Sequence, residues 1–259
     1  MNDRLRLHVV GSSPAMPRPG GANSCYLVRS AGTAVLLDAG SGAAGKLQCA
    51  ADYAKLDAIV ISHMHPDHFF DLVALRHGLK YANAVGRERM PLWLPPGGIE
   101  ILSTLSTLIS EGARRSFFDD AYAIHEYEPA VPLFVGGLRI TFARTQHFIS
   151  AYAIRVEHDG KSVAYSADTA PCDAVIEHAR DTDLFLCEAA LGLEAEQGGR
   201  GHSNAYEAGE MAARAGAKRL VLTHYPAKFS AAELIAAARA RFNGPIEVAN
   251  DGIEVSLEA

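Results

Sequence analysis

Between positions 63 and 68 the chain reads His63-Met64-His65-Pro66-Asp67-His68, three imidazoles and one carboxylate in six residues. Neutral imidazole nitrogens and ionised carboxylate oxygens are the donors that Zn²⁺ and similar divalent ions take. The stretch follows the apolar run Leu56 to Ile61, where Ala58-Ile59-Val60-Ile61 reads as a buried strand. It precedes Phe69-Phe70-Asp71-Leu72, which reads as the start of a helix. A strand therefore delivers four ligand-type side chains into a tight loop. Pro66 stiffens that loop and biases Met64-His65 toward extended geometry. A His-rich surface turn without metal is the plainer alternative, and the density of donors at one strand end argues against it.

Other candidates sit at other expected strand ends. His147 lies just past a strand over Leu138 to Arg144. Asp168 follows the second strand of a hairpin that turns at Asp159-Gly160. Glu188 ends the apolar run Leu184 to Cys187, and His224 ends Arg219 to Thr223. Asp38 closes Ala34 to Leu37 and is followed by Ala39-Gly40-Ser41-Gly42. It reads equally well as a helix cap and as a support for the metal loop. His202-Ser203 precedes a helix reaching Ala215, with Ser203 as its N-cap. A ligand at a strand end is held by a rigid scaffold and still faces solvent. His77 and His125 read as surface or packing residues.

The elements that must hold these side chains are strand-rich blocks alternating with a few helices. Helices are expected over Ala43 to Ala51, Phe69 to Ala84, Ile99 to Ala113, Cys172 to Ala179 and Ala231 to Phe242. Arg114 to Asp120 reads as a substrate loop or as an ordinary linker, with Arg114 and Arg115 as candidate phosphate binders. The 259 residues allow a sizeable core. Lys and Arg form no cluster, and the net charge of −6 speaks against a long polyanionic partner. A small anionic substrate is compatible, because a metal supplies local positive charge. Cys25, Cys49, Cys172 and Cys187 are scattered without a C-x-x-C pair and read as buried, reduced thiols. The N-terminus has no apolar signal core, and no apolar stretch approaches membrane-spanning length. The cytoplasm is the expected location.

Taken together, these motifs resemble the metallo-β-lactamase superfamily. The H-x-H-x-D-H loop is His63 to His68, followed in family order by His147, by Asp168 in Ser166-Ala167-Asp168-Thr169, and by His224 in Leu222-Thr223-His224-Tyr225. Asp38 matches the early family aspartate. The likeness covers nearly the whole chain and implies a single α/β (α+β) domain over residues 1–259, a four-layer αβ/βα sandwich with two metals at one rim. Within the superfamily the chain is most similar to ribonuclease Z and related phosphodiesterases, through Gly201-His202-Ser203-Asn204 and the strand ending at His224. Asn204 stands where Thr is usual, and Cys187 stands where the ribonucleases have His. The overall likeness is greatest to the small atypical class II cyclic-nucleotide phosphodiesterases, through Ala164 to Thr169, Phe185 to Ala189 and Thr223-His224-Tyr225-Pro226.

The resemblance implies that His63, His65 and His147 hold one divalent ion and Asp67, His68 and His224 a second. Asp168 bridges them. Zinc is the first choice of metal, with manganese or iron as alternatives. Metal-bound hydroxide would attack a phosphodiester, such as that of a cyclic nucleotide. Asp67 would orient the water, and His202, steadied by Glu188, would protonate the leaving alkoxide. Only twenty residues separate His147 from Asp168, too few for the tRNA-gripping arm of ribonuclease Z, so no tRNA or duplex partner is expected. The rival chemistry is hydrolysis of an ester, lactone or thioester, which the same hydroxide can attack. Relatives in this branch commonly form homodimers.

Overall fold

The computed structural model describes residues 4–30, 32–82, 88–110, 117–195 and 198–257. Strands β1 (Arg6–Gly11), β2 (Cys25–Ser30), β3 (Thr33–Leu37), β4 (Ala58–Val60), β5 (Met90–Leu94) and β6 (Tyr122–Glu126) join β14 (Glu254–Ser256) in a sheet of order β14-β1-β2-β3-β4-β5-β6. Strands β7 (Leu133–Val135), β8 (Leu138–Arg144), β9 (Tyr152–His158), β10 (Lys161–Tyr165), β11 (Leu184–Glu188), β12 (Leu220–Thr223) and β13 (Ile246–Val248) form the second, of order β13-β12-β11-β10-β9-β8-β7. Both sheets are mixed. Pairing is antiparallel from β14 to β3 and from β7 to β10. It is parallel from β3 to β6 and from β10 to β13.

The near-continuous apolar runs follow from burial on both strand faces. Along β3, Val35 and Leu37 pack between the sheets with Leu7, Val28, Ile154 and Leu186. Their neighbour Leu36 points the other way, into a cluster with Leu27, Ile59, Leu47 and Leu72. That second cluster is covered by α1 (Ala43–Ala50), α3 (Leu72–His77) and α4 (Gly98–Ile109). On the far side, α5 (Asp173–His178), α6 (Ala205–Ala215) and α7 (Ala231–Arg239) bury Ile176, Met211, Ala212 and Leu234 against Phe185, Leu220 and Leu222. The result is the expected four-layer αβ/βα sandwich. Each fully buried Leu or Phe contributes about 1.5–3 kcal/mol relative to exposure.

Some local expectations need correction. The expected helix from Phe69 is broken at Phe70-Asp71. A short turn, α2 (Pro66–Phe69), precedes α3, and a π-turn, Gly78–Ala82, follows it. The tight loop expected at His63 to His68 is thus partly helical, with Asp67 and His68 on α2. Pro66 sits at the first helical position, where its missing N–H costs nothing. Ser203 is not the cap of α6. Asn204 is, in a capping box with Glu207, which also accounts for Asn at that position. Cys25 and Cys187 are buried as expected, but Cys49 is exposed and Cys172 partly so, and all four thiols are free. Ala84, Ala113, Arg114 and Arg115 lie outside the described residues. The described end of that loop, residues 117–120, is anchored on α3, where Arg76 holds the Phe117 carbonyl at 3.0 Å and pairs with Asp120.

Candidate metal centre

The parallel parts of the two sheets point their carboxyl ends toward the same rim, where ligands collect in open α/β folds. Asp38 follows β3, His63 follows β4, His147 follows β8, Asp168 follows β10, Glu188 ends β11 and His224 follows β12. Asp38, Ala167 and His224 have φ of 60°, 51° and 54°. Non-glycine residues rarely adopt this left-handed conformation, and it persists where the surroundings over-determine it.

The residues converge in two groups that share Asp168. His63, His65, His147 and Asp168 form one, and Asp67, His68, Asp168 and His224 the other, each with donor atoms within 4.8 Å of one another. In the first, His63 Nε2 and His147 Nε2 lie 3.7 and 3.9 Å from Asp168 Oδ2, and His65 Nδ1 lies 3.0 Å from His147 Nε2. In the second, His68 Nε2 is 3.3 Å from Asp168 Oδ1 and 3.5 Å from Asp67 Oδ2. His224 Nε2 is 3.5 Å from Asp168 Oδ2 and 3.7 Å from Asp67 Oδ2. A tetrahedral ion with bonds of about 2.0–2.1 Å holds its donors about 3.3–3.4 Å apart, so this spacing fits. Three of these atoms, His63 Nε2, His68 Nε2 and Asp168 Oδ1, are buried without a hydrogen-bond partner. Leaving such an atom unpaired costs about 1–3 kcal/mol, a cost that coordination removes. The donor set fits two divalent cations.

The opposite ring nitrogens are held from behind. His63 Nδ1 meets Ser62 Oγ at 3.0 Å, His68 Nδ1 meets Asp38 Oδ2 at 2.7 Å, His147 Nδ1 donates to the Gly201 carbonyl at 2.7 Å, and His224 Nδ1 meets Ser24 Oγ at 2.9 Å. These partners fix which nitrogen faces the shared space. Asp38 is a support and caps no helix. It also accepts from Ser62 N, Ser62 Oγ and the Tyr165 hydroxyl. The Asp38–Gly40 loop clasps the His-rich loop through main chain: Ala39 N–H donates to the His68 carbonyl and Asp71 N–H to the Ala39 carbonyl. A Cβ on Gly40 would fall 2.1 Å from the Asp67 carbonyl oxygen, so only glycine permits this approach.

The electrostatics favour the neutral, ligating form of every candidate imidazole ligand except His68, which would release a proton on coordination. Burial holds His63 well below its ordinary value, lowers His224 to about 4, and lowers His65 and His147 as well. These imidazoles are neutral at pH 7, as coordination requires. Burial opposes the charge on Asp168, yet His224 and His68 hold its carboxyl well below the usual range. Burial likewise opposes the charge on His68, and the Asp168 and Asp38 carboxylates hold that ring well above its ordinary value.

Beside the two groups, His202 Nδ1 donates to Glu188 Oε1 at 2.9 Å and lies 4.0 Å from Asp168 Oδ2. The His202 ring centroid is 4.9 Å from that of His147 and 6.2 Å from that of His224. Burial pushes the Glu188 carboxyl up to about 7. Glu188 also accepts from Thr169 N and Ala190 N at 2.8 Å. Ser203 Oγ donates to the Thr169 carbonyl at 2.6 Å, tying the His202 segment to the Asp168 loop. Cys187 packs into the helix-side core, on the face of β11 opposite Glu188.

A model of the beta-lactamase superfamily domain matches residues 33–225. The chain belongs to this superfamily. It is 31% identical over 254 residues to a probable metallo-hydrolase, YhfI, of Bacillus subtilis, covering 96% of this chain and 98% of that one. The crystal structure of YhfI superposes with a TM-score of 0.88 at 28% identity, covering 98% of this chain and 100% of that one. Ribonuclease Z of Mycobacterium bovis is 31% identical over 272 residues, covering 95% and 96% of the two chains. These relatives place the superfamily member in the ribonuclease Z-like branch, and it is a metal-dependent hydrolase.

The expected donors His63, His65, Asp67, His68, His147, Asp168 and His224 lie at this rim with Asp38, Glu188, His202 and Ser203, whereas the candidate phosphate binders Arg114 and Arg115 lie outside the described residues. The supports Ser24, Ser62, Tyr165 and the Gly201 carbonyl were not among the expected site residues. Ser62 adjoins His63 and Tyr165 lies three residues before Asp168, a proximity that hints at a role without specifying it. Ser24 is 200 positions from the ring it touches, and nothing in the sequence marks that contact.

Proposed function

We propose that this protein is a phosphodiesterase that uses two divalent ions, zinc foremost with manganese or iron as alternatives, on a small anionic substrate such as a cyclic nucleotide. One observation carries the reading. The His202–Glu188 pair stands beside both donor groups at once, within 4.0 Å of the carboxylate they share. In this reading His63, His65 and His147 hold one ion, Asp67, His68 and His224 the other, and Asp168 lies between. The bound ions would neutralise phosphoryl oxygens and make water acidic enough to ionise near neutral pH.

The chain's own residues do the rest. Asp67 presents Oδ2 to the second group and keeps slight solvent exposure, suited to orienting a water. His202 as an imidazolium gives its proton to the departing alkoxide, a step worth about 10²–10⁴ in rate. Glu188 accepts from Nδ1, which fixes the ring and stabilises its charge. A small substrate is supported by the span between His147 and Asp168, which the β9–β10 hairpin occupies and which has no protruding arm. The net charge of −6 supports the same conclusion against tRNA. A ribonuclease among the relatives favours phosphodiester over carbonyl chemistry.

The test is a substrate panel run on protein of measured metal content: cyclic nucleotides, bis-aryl phosphates, lactones and thioesters. Turnover of the phosphodiesters above the carbonyl compounds is expected. Faster turnover of a lactone or thioester would overturn the reading and install the ester-hydrolase alternative.

A further inference from the structure

The rim carries an aromatic ring that the mechanism above does not use. Phe148 directly follows His147 and is 59% exposed. Its centroid lies 5.2 Å from that of His147 and 5.9 Å from that of His202, the latter edge to face. A Cβ on Gly201 would fall 2.4 Å from the ring, so Phe148 rests against the Gly201 main chain, whose carbonyl holds His147. The ring is braced by the segments that fix a candidate ligand and the candidate acid, while most of its surface stays in water. Single exposed hydrophobic residues are ordinary. What sets this one apart is position. Among the exposed large hydrophobic side chains of the described residues, Phe148 is the one whose ring contacts the donor groups and His202.

We propose that Phe148 is a stacking platform for a planar heteroaromatic group on the leaving-group side of the substrate, namely the base of a cyclic nucleotide. This rests on the phosphodiesterase reading. The side follows from His202, since the group that receives its proton must lie next to it and therefore next to Phe148. The planarity follows from the surroundings. The ring offers one apolar face, and its aromatic neighbours are polar imidazoles. An alkyl chain is desolvated by enclosure on several sides. A base gains from stacking on one face while its edges stay hydrated. Because every base has such a face, the platform predicts weak discrimination among bases.

Calorimetry on the metal-loaded protein tests this with adenosine 5′-monophosphate and ribose 5-phosphate, which differ by the base. Wild type should bind the nucleotide about tenfold more tightly, the usual scale of one base–aromatic stack. Phe148→Ala should abolish that preference with metal content retained, and Phe148→Trp should keep it. With 3′,5′-cyclic AMP as substrate, Phe148→Ala should raise KM about tenfold, more than it lowers kcat. Absence of a preference in wild type, or equal weakening of both ligands in Phe148→Ala, would overturn the platform. A Phe148-dependent preference in a protein that hydrolyses no phosphodiester would instead overturn the proposed activity and leave the platform standing. Phosphodiester turnover without that preference would remove the platform alone.

Discussion

The Tyr165 hydroxyl donates to Asp38 Oδ2 at 2.9 Å, joining β10 of one sheet to the end of β3 of the other, and the same oxygen takes His68 Nδ1 at 2.7 Å. Asp38→Ala leaves Ser62 N–H, the Ser62 hydroxyl and the Tyr165 hydroxyl without this acceptor, at about 1–3 kcal/mol for each group left unsatisfied. Thermal melts should show a large loss of stability, and zinc titration should show the His68 group weakened about 10–100-fold. Tyr165→Phe removes one donor and should cost about 1 kcal/mol. Two full-affinity ions in Asp38→Ala would refute the supporting role.

Asp67 belongs to one donor group alone. Asp67→Ala should therefore lower the divalent-metal content from two ions per chain to one and remove nearly all turnover. Elemental analysis of dialysed protein reads the first effect and phosphodiester kinetics the second. Two retained ions with full activity would dismiss the assignment.

His202→Ala should lower kcat about 10²–10⁴-fold at unchanged metal content. Glu188→Gln should act in the same direction. The loss should shrink for substrates with an aryl oxide leaving group, which departs without a proton. Equal losses for alkyl and aryl leaving groups would show that His202 is not the acid.

His178, on α5, donates Nε2–H to the Thr141 carbonyl at 3.1 Å. Burial lowers its pKa below the ordinary value of 6.5. The unfolded chain then binds a proton at a pH where the folded chain does not, so stability is complete above about pH 6.5 and falls as the pH drops below it. Denaturant melts between pH 7.5 and 5 should show this fall, with a smaller slope in His178→Gln. Identical slopes would contradict the assignment.

The ligands were legible because they lie in one donor-rich stretch after β4 or just past the ends of other strands, and donor chemistry beside a strand end is a local pattern. The break at Phe70-Asp71 was not, since Leu72, Leu75 and Leu79 keep a helical spacing across a change of helix type. Ser203 and Asn204 are both good caps by type. The choice between them was made by Thr169, whose carbonyl takes the Ser203 hydroxyl from a distant loop. Phe148 was visible beside His147, but its exposure depends on how Gly201 packs, which no local pattern encodes.

His63, His65, Asp67 and His68 come from the first sheet's half of the chain, and His147, Asp168 and His224 from the second's. Neither half owns a complete coordination set. On this assignment both coordination sets would be complete only once the two halves have docked, and the ions would act as rivets across the seam. A nascent chain still missing its last third would have nothing with which to close the second pocket.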